Sequence, residues 1–156
     1  MNKRTIILIL LWAVVVLWMG VIFSFSMETA EQSTESSDSV LEMVLRALDK
    51  KFDTYTEEEQ TQLLEQYSGL IRKTAHFCIF AALGFFIANT FVYQGVNRRK
   101  TAAYSFLIGA AYAISDEIHQ YFVPGRACQF TDVLIDSSGV AAGIACSLLL
   151  ALILRK

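Results

Sequence analysis

The chain has 156 residues, a formal net charge of −2 at pH 7 and a hydrophobic content of 54%, with a mean hydropathy of +0.45. This length fits one domain, and the apolar content indicates a membrane protein instead of a water-soluble one. A net negative charge gives no reason to expect a nucleic-acid partner.

Four apolar segments are long enough to cross a bilayer as helices, which takes roughly 20 residues each. They cover approximately residues 5–24, 75–93, 101–121 and 132–154. The sequence therefore predicts an all-α, polytopic fold with a single domain over residues 1–156. We expect a four-transmembrane-helix bundle, with a helical outer loop at residues 27–70 between the first two spans.

The first apolar segment has some features of a secretory signal peptide. Two basic residues precede its apolar core, and Ser24-x-Ser26 follows it as a cleavage-like pattern. Its apolar run, residues 6–23, is longer than the roughly 7–15 residues of a signal-peptide core. We therefore expect a membrane anchor that is retained.

The basic residues that flank the spans predict the orientation, because such residues favour the cytoplasmic side. Seven of them, with no acid among them, fall on one side of the predicted bundle: Lys3, Arg4, Arg98, Arg99, Lys100, Arg155 and Lys156. Most acidic residues lie in the loop at residues 27–70, on the other side. We expect a multi-pass protein of the cell membrane with both termini in the cytoplasm.

The outer loop contains two amphipathic segments with apolar side chains at helical spacing, residues 38–52 and 55–67. Asp38 or Ser39 is expected to cap the first helix, and Thr56 with Glu59 forms a capping-box pattern for the second. The serine-rich stretch at residues 31–39 predicts a flexible lead-in. Both helices are expected to lie on the membrane surface or to cover the bundle.

Polar side chains gather at the outer ends of the later spans. Asp132 and Asp136 are four residues apart on the fourth span, so they project from one face, which Gly139 and Gly143 continue. Small residues allow close helix contact, and ionisable residues at membrane depth face the interior or a wet cavity. The pair therefore favours a site, although Asp132 alone fits a helix cap equally well.

The third span ends with two polar pairs, Glu117 with Gln120 and Asp116 with His119, each on one face of the helix. We expect Glu117 and Gln120 to face the interior, because Ala113 continues their stripe with a small side chain. Asp116 is expected to reach outer water, and His119 is expected at the interface instead of acting as a ligand.

Cations are expected at the same outer level. Arg72 and Lys73 precede His76 by one turn on the second span, and Arg126 follows the turn after the third. A guanidinium suits bidentate binding of phosphate or carboxylate, although Arg72 and Lys73 also fit ordinary snorkelling at the interface. Together the three helix ends predict one charged, partly dehydrated pocket that faces outside.

Candidate roles follow from side-chain chemistry. The candidates for acid–base catalysis are His76, Glu117 and Asp132, and the candidates for substrate binding are Arg72, Lys73, Gln120, Arg126 and Asp136. Carboxylates with an imidazole can also bind a divalent cation, and Asp132, Asp136 and Glu117 with His76 form such a set. Because three cations at the same level already offset the acids, we expect no tightly bound metal and no other cofactor, with a weakly bound divalent cation as the alternative.

Four stretches of the sequence, in this order, resemble the VanZ-like family of small bacterial membrane proteins: "IFSFSMETAEQS", "IRKTAHFCIFAALG", "SDEIHQYFVPGR" and "TDVLIDSSGVAAG". The resemblance implies a cell-envelope role at the outer face and a contribution to glycopeptide (teicoplanin) resistance. Members of the family often carry asparagine at the position of Asp136, so the resemblance does not require a charge there.

The sequence leaves the kind of activity open. One hypothesis is an enzyme that acts on a phospholipid or lipid-linked headgroup of the envelope, and the alternative is a non-catalytic binding or accessory protein. Both have a membrane lipid or a lipid-linked envelope precursor as partner, and the oligomeric state stays open. A small proton-coupled transporter is less favoured, because the polar residues cluster at one face and form no path across.

Overall fold

The computed structural model describes residues 2–154, which form five α-helices and one 3₁₀ helix and contain no β-strand. The elements are α1 (Lys3–Ser26), α2 (Ala30–Leu48), the 3₁₀ helix (Phe52–Thr54), α3 (Glu57–Gln94), α4 (Arg98–Gln120) and α5 (Phe130–Ile153). The prediction of an all-α fold is confirmed. Arg155 and Lys156, two of the seven basic residues that predict the orientation, lie outside the described residues.

Within residues 2–154, three helices are long and apolar enough to cross a membrane, namely α1, α3 and α5. They indicate a membrane-associated protein. Helix α4, which contains the third predicted span, is less apolar because three basic residues open it and three ionisable residues lie near its end. Its 23 residues would still extend about 35 Å at 1.5 Å per residue. A fourth crossing and the side of each terminus stay predictions.

The second loop helix and the second span, which the sequence predicts as separate segments, form one continuous helix, because α3 runs without interruption through residues 68–74. That stretch has no proline and only one glycine, Gly69, and a single glycine is tolerated inside a long helix. The predicted capping box at the start of α3 is confirmed. The Thr56 hydroxyl accepts from the Glu59 N–H at 3.3 Å, and the Glu59 carboxylate accepts from the Thr56 N–H at 2.9 Å.

The serine-rich stretch at residues 31–39 is helical, so the predicted flexible lead-in and the predicted cap at Asp38 or Ser39 are both wrong. Helix α2 begins at Ala30 and is capped by Thr29 in a second capping box. The hydroxyls of Thr34, Ser37 and Ser39 donate to carbonyls one turn earlier, as Ser39 does to Glu35 at 2.9 Å. The stretch also packs against α3, where Ser68 donates a hydrogen bond to the Asp38 carboxylate.

Helices α3 and α5 pack closely along the predicted glycine seam. A Cβ atom at Gly139 would overlap the carbonyl oxygen of Phe77, and one at Gly143 would overlap that of Ala81. Only glycine permits such an approach of two helix backbones. The seam is therefore confirmed, and it holds the polar first turns of α5 against the middle of α3.

A buried apolar core joins α1, α3, α4 and α5. It contains Val15, Ile22, Phe80, Leu83, Ile87, Ala88, Ala113, Val140 and Ile144. Many other large apolar side chains of these helices are exposed, such as Leu17 and Leu149. A hydrocarbon surrounding would accommodate those outward faces, because apolar side chains are at no disadvantage in lipid.

Candidate functional site

Polar side chains from α3, α4, α5 and the connection after α4 meet at one end of the packed helices, around a cavity of about 130 Å³. Seven of the eight predicted site residues line this polar cavity: Arg72, Lys73, His76, Gln120, Arg126, Asp132 and Asp136. The chain therefore folds so that residues separated by more than 60 positions share one site, with both signs of charge on its wall.

The turn after α4 directs Arg126 to the cavity. The Arg126 N–H donates to the Val123 carbonyl at 3.1 Å, and proline followed by a glycine at φ 77° is typical of a type II turn. A larger residue at Gly125 would be strained at this φ. The Pro124 carbonyl accepts from the Ala30 N–H at 3.3 Å, so the turn is fixed to the start of α2.

Arg126 is a partly buried cation that has an N–H donor without an acceptor in the described chain. Its Nη1 donates to the Gln120 Oε1 at 2.8 Å, whereas its buried Nε has no hydrogen-bond partner among residues 2–154. Burial lowers the pKa of Arg126, and the nearby positive charge of Arg72 lowers it further. A guanidinium nevertheless stays protonated in proteins, so this end of the cavity would be stabilised by an anion.

A hydrogen-bonded chain continues from Arg126 to the end of α1. The Gln120 Nε2 donates to the Asp116 Oδ2 at 2.9 Å, and the Ser26 hydroxyl donates to the Asp116 Oδ1 at 2.6 Å. The prediction that Asp116 reaches outer water is wrong, since Asp116 is 3% exposed. Residues 113, 116, 117 and 120 follow the helical repeat and share one interior face.

Ser26 was not predicted as a site residue. It is fully buried at the last position of α1, 90 residues from its partner Asp116. The signal available in the sequence was its place in the stretch "IFSFSMETAEQS", one of the four that carry the family resemblance. A serine at the end of an apolar helix gives no further sign of its partner.

Of the polar residues at the end of α4, Gln120 lines the polar cavity, whereas Asp116, Glu117 and His119 do not. Glu117 faces the interior as predicted, and its Oε1 accepts from the backbone N–H of Gln129 at 2.6 Å. Gln129 is the N-cap residue of α5, so Glu117 links the end of α4 to the start of α5. His119 packs against Phe23 of α1, with ring centroids 4.5 Å apart.

His76 and Asp136 face each other across the contact between α3 and α5. The His76 Nδ1 lies 3.5 Å from the Asp136 Oδ1, and the Asp136 side chain is 1% exposed. In the part of the chain that the structure describes, neither this Nδ1 nor either Asp136 oxygen has a hydrogen-bond partner. A buried carboxylate with no hydrogen-bond partner is unusual in proteins.

Lys73 and Asp132 form a looser pair at the mouth of the polar cavity. The Lys73 Nζ lies 3.7 Å from the Asp132 Oδ1, and both side chains are partly exposed. Asp132 lies in the first turn of α5 but is not its N-cap residue, which is Gln129. The N-cap alternative for Asp132 is therefore wrong. A negative charge in the first turn of a helix still interacts favourably with the helix dipole.

A second cavity, of about 210 Å³, adjoins the first between α2 and α3. Most of its wall is apolar, including Phe25, Val40, Ile71, Ala75 and Ile79. This apolar groove shares Arg72, His76 and Arg126 with the polar cavity. A polar compartment and an apolar compartment are thus separated by the same three side chains.

The fold and the site define a small helical membrane protein with a charged cavity at one end. The chain belongs to the VanZ/LLP1 family, because the model of that family matches residues 11–153, nearly its whole length. That match includes all eight predicted site residues and confirms the resemblance seen in the sequence. No curated protein and no solved structure matches the chain.

Proposed function

We propose that this protein binds a phosphate-bearing lipid of the cell envelope, with the phosphate in the polar cavity and an acyl chain in the apolar groove. The observation that carries the proposal is the shared wall: Arg72, His76 and Arg126 line both compartments. The headgroup of a lipid is covalently joined to its acyl chains. One lipid molecule can therefore place its phosphate beside these residues and an acyl chain in the groove.

The charge of the polar cavity supports a phosphodiester headgroup. Three cations (Arg72, Lys73 and Arg126) and two acids (Asp132 and Asp136) line it, which leaves a net charge of +1 while His76 is neutral. A phosphodiester carries one negative charge. Arginine donors form strong, bidentate hydrogen bonds to phosphate oxygens, and the unpaired buried Nε of Arg126 is one donor that such a ligand would satisfy.

The proposed location is the outer face of the cell membrane, with α4 as a fourth crossing and both termini in the cytoplasm. The cations at the start of α4, residues 98–100, support this orientation, because they lie at the end of that helix opposite Asp116, Glu117 and Gln120. A lipid-linked envelope precursor is also a phosphate-bearing lipid. Binding such a precursor would connect the site to the glycopeptide (teicoplanin) resistance that the family resemblance implies.

Turnover of the bound headgroup is a second candidate function, favoured by the contact between His76 and Asp136. A carboxylate beside one ring nitrogen orients an imidazole, and the other nitrogen, Nε2, is then left to take a proton from an attacking water. A non-catalytic binding protein would use the same cations without this proton transfer. The two functions therefore differ in product formation and not in affinity.

The test is a panel of labelled lipids incubated with the purified full-length protein in detergent. We expect saturable binding of phosphate-bearing lipids and none of a diacylglycerol with the same chains. Arg126→Ala should weaken binding about 10- to 100-fold, since a charge-assisted hydrogen bond contributes about 1.5–3 kcal/mol. The matched control is Arg46→Ala, because Arg46 pairs with Glu42 and Asp53 and lines neither cavity.

Three results would decide between the candidates. Equal binding of phosphate-bearing and neutral lipids, or equal effects of Arg126→Ala and Arg46→Ala, would contradict the proposal. Saturable binding without product supports the binding protein. A released headgroup or phosphate that depends on His76 supports the enzyme, and a Glu117→Ala variant then shows whether Glu117 contributes beyond its contact with α5.

A further inference from the structure

We propose that His76, Asp116 and Asp136 form a binding site for a divalent cation beside the polar cavity. One ligand atom from each of the three side chains lies within 4.8 Å of the others. The residues belong to α3, α4 and α5, so the packing of the helices assembles the set and no local spacing reveals it. This inference does not depend on the proposed lipid, but it assigns His76 and Asp136 as ligands of the cation instead of as the acid–base pair of the second candidate function.

The buried polar atoms that have no partner point to an occupant. Asp136 is fully buried, and both of its carboxylate oxygens, together with the His76 Nδ1, make no hydrogen bond within residues 2–154. Removing a carboxylate from water without a compensating partner is strongly unfavourable. A cation bound between these atoms would satisfy all three of them at once.

The separation of His76 and Asp136 suits a shared cation better than a direct hydrogen bond. Their closest atoms are 3.5 Å apart, beyond the usual hydrogen-bond length of about 2.7–3.2 Å. Two ligands at neighbouring corners of a tetrahedron, each about 2.1 Å from the metal, lie roughly 3.4 Å apart. The pair therefore already has a ligand separation that a bound metal requires.

Two hydrogen bonds fix the carboxylate of Asp116, the third candidate ligand, near this pair. Ser26 and Gln120 donate to its two oxygens at 2.6 and 2.9 Å, and each oxygen keeps a further lone pair for a metal. Such outer contacts orient the ligands of metal sites. The neighbouring Arg126 is engaged by the Gln120 side chain, and the negative charges of Asp116 and Asp136 attract a dication.

The ligand chemistry favours Mn²⁺ or Zn²⁺ over Mg²⁺ or Ca²⁺. An imidazole with two carboxylates is a mixed nitrogen and oxygen set, whereas Mg²⁺ and Ca²⁺ prefer oxygen ligands alone. From the sequence we expected no tightly bound metal, and the acids considered were Asp132, Asp136 and Glu117. The inward position of Asp116, which the sequence does not predict, supplies a different third ligand.

The test is a titration of the purified, chelator-treated full-length protein with Mn²⁺ alone, in which electron paramagnetic resonance measures the free ion. We expect one Mn²⁺ per chain, displaced by Zn²⁺ and not by equimolar Mg²⁺. The nearly isosteric variants Asp116→Asn and Asp136→Asn should each weaken binding at least tenfold. The control Asp53→Asn, an exposed acid outside both cavities, should bind as the wild type does.

Thermal unfolding separates loss of the site from loss of the fold. Mn²⁺ should raise the unfolding temperature of the wild type and of Asp53→Asn, and it should not raise that of a folded Asp136→Asn variant. Absence of Mn²⁺ binding by the wild type would overturn the proposal. So would wild-type affinity in both the Asp116→Asn and the Asp136→Asn variants.

Discussion

The Ser26→Ala substitution tests the hydrogen-bonded chain that links the end of α1 to the polar cavity. Ser26 is fully buried and Asp116 is 3% exposed, and the hydroxyl donates to the carboxylate at 2.6 Å. Alanine removes this donor and leaves one buried carboxylate oxygen without it. Because the change deletes a single oxygen atom, packing is otherwise nearly preserved.

The expected loss of stability lies between the values known for hydrogen bonds in soluble proteins and in membrane helices. A hydrogen bond to a charged group contributes about 1.5–3 kcal/mol in soluble proteins. Side-chain hydrogen bonds within membrane helices average about 0.6 kcal/mol and reach about 1.7 kcal/mol. This bond is short and connects two buried groups, so we expect a free energy of unfolding that is lower by about 1–2 kcal/mol.

The assay is reversible unfolding in mixed micelles, followed by circular dichroism. The matched control is Ser24→Ala on the same helix, where an exposed hydroxyl donates to the Val21 carbonyl of its own helix at 2.7 Å. Surface changes of this kind stay within about 0.5 kcal/mol. If Ser26→Ala were no more destabilising than Ser24→Ala, the hydrogen bond between Ser26 and Asp116 would contribute no net stability to the fold.

Three further predictions concern the packing, the topology and the site. Gly143→Ala should lower the free energy of unfolding by about 1–3 kcal/mol, because its Cβ would overlap a carbonyl oxygen of α3. Gly20→Ala, whose Cβ would meet no atom of another described element within 4 Å, should not lower it, and chemical unfolding compares the two variants. Glu35→Cys in a cysteine-free background should react with an impermeant thiol reagent on intact cells, and reaction only after permeabilisation would reverse the topology. His76→Ala should abolish the glycopeptide resistance that the family resemblance implies, with the protein at normal abundance in the membrane, whereas the loop variant Glu58→Ala should have a mild effect. Loss of the His76 variant from the membrane would instead indicate a structural role.

The sequence predicted what depends on local pattern. Long apolar runs locate α1, α4 and α5 to within a few residues, since their ends are marked by polar or charged clusters. The small side chain of Ala113 correctly oriented Glu117 and Gln120, and the Gly139 and Gly143 pair correctly marked a close helix contact. These features follow from the helical repeat and from side-chain size alone.

The sequence did not predict what depends on tertiary contact. Asp116 was assigned to water because its stripe on α4 continues through bulky side chains, but the buried hydroxyl of Ser26 and the amide of Gln120 bind its carboxylate. The helical start of α2 was missed because serine-rich stretches are usually flexible; here the stretch packs on α3 through Asp38 and Ser68. Ser26 is 90 residues from Asp116 in the chain, and Ser68 is 30 residues from Asp38, so no local pattern indicates either contact.

Photo-crosslinking tests the central claim, that a phosphate-bearing lipid occupies both compartments, most directly. A phospholipid with a photoreactive group on its acyl chain would be crosslinked to the purified protein, and mass spectrometry would identify the labelled residues. We predict labels concentrated on the apolar groove, at Val40, Ile71 and Ile79, which decrease with excess unlabelled phospholipid and in the Arg126→Ala variant. Labels spread evenly over the outward faces of α1 and α5, unchanged by Arg126→Ala, would contradict the account.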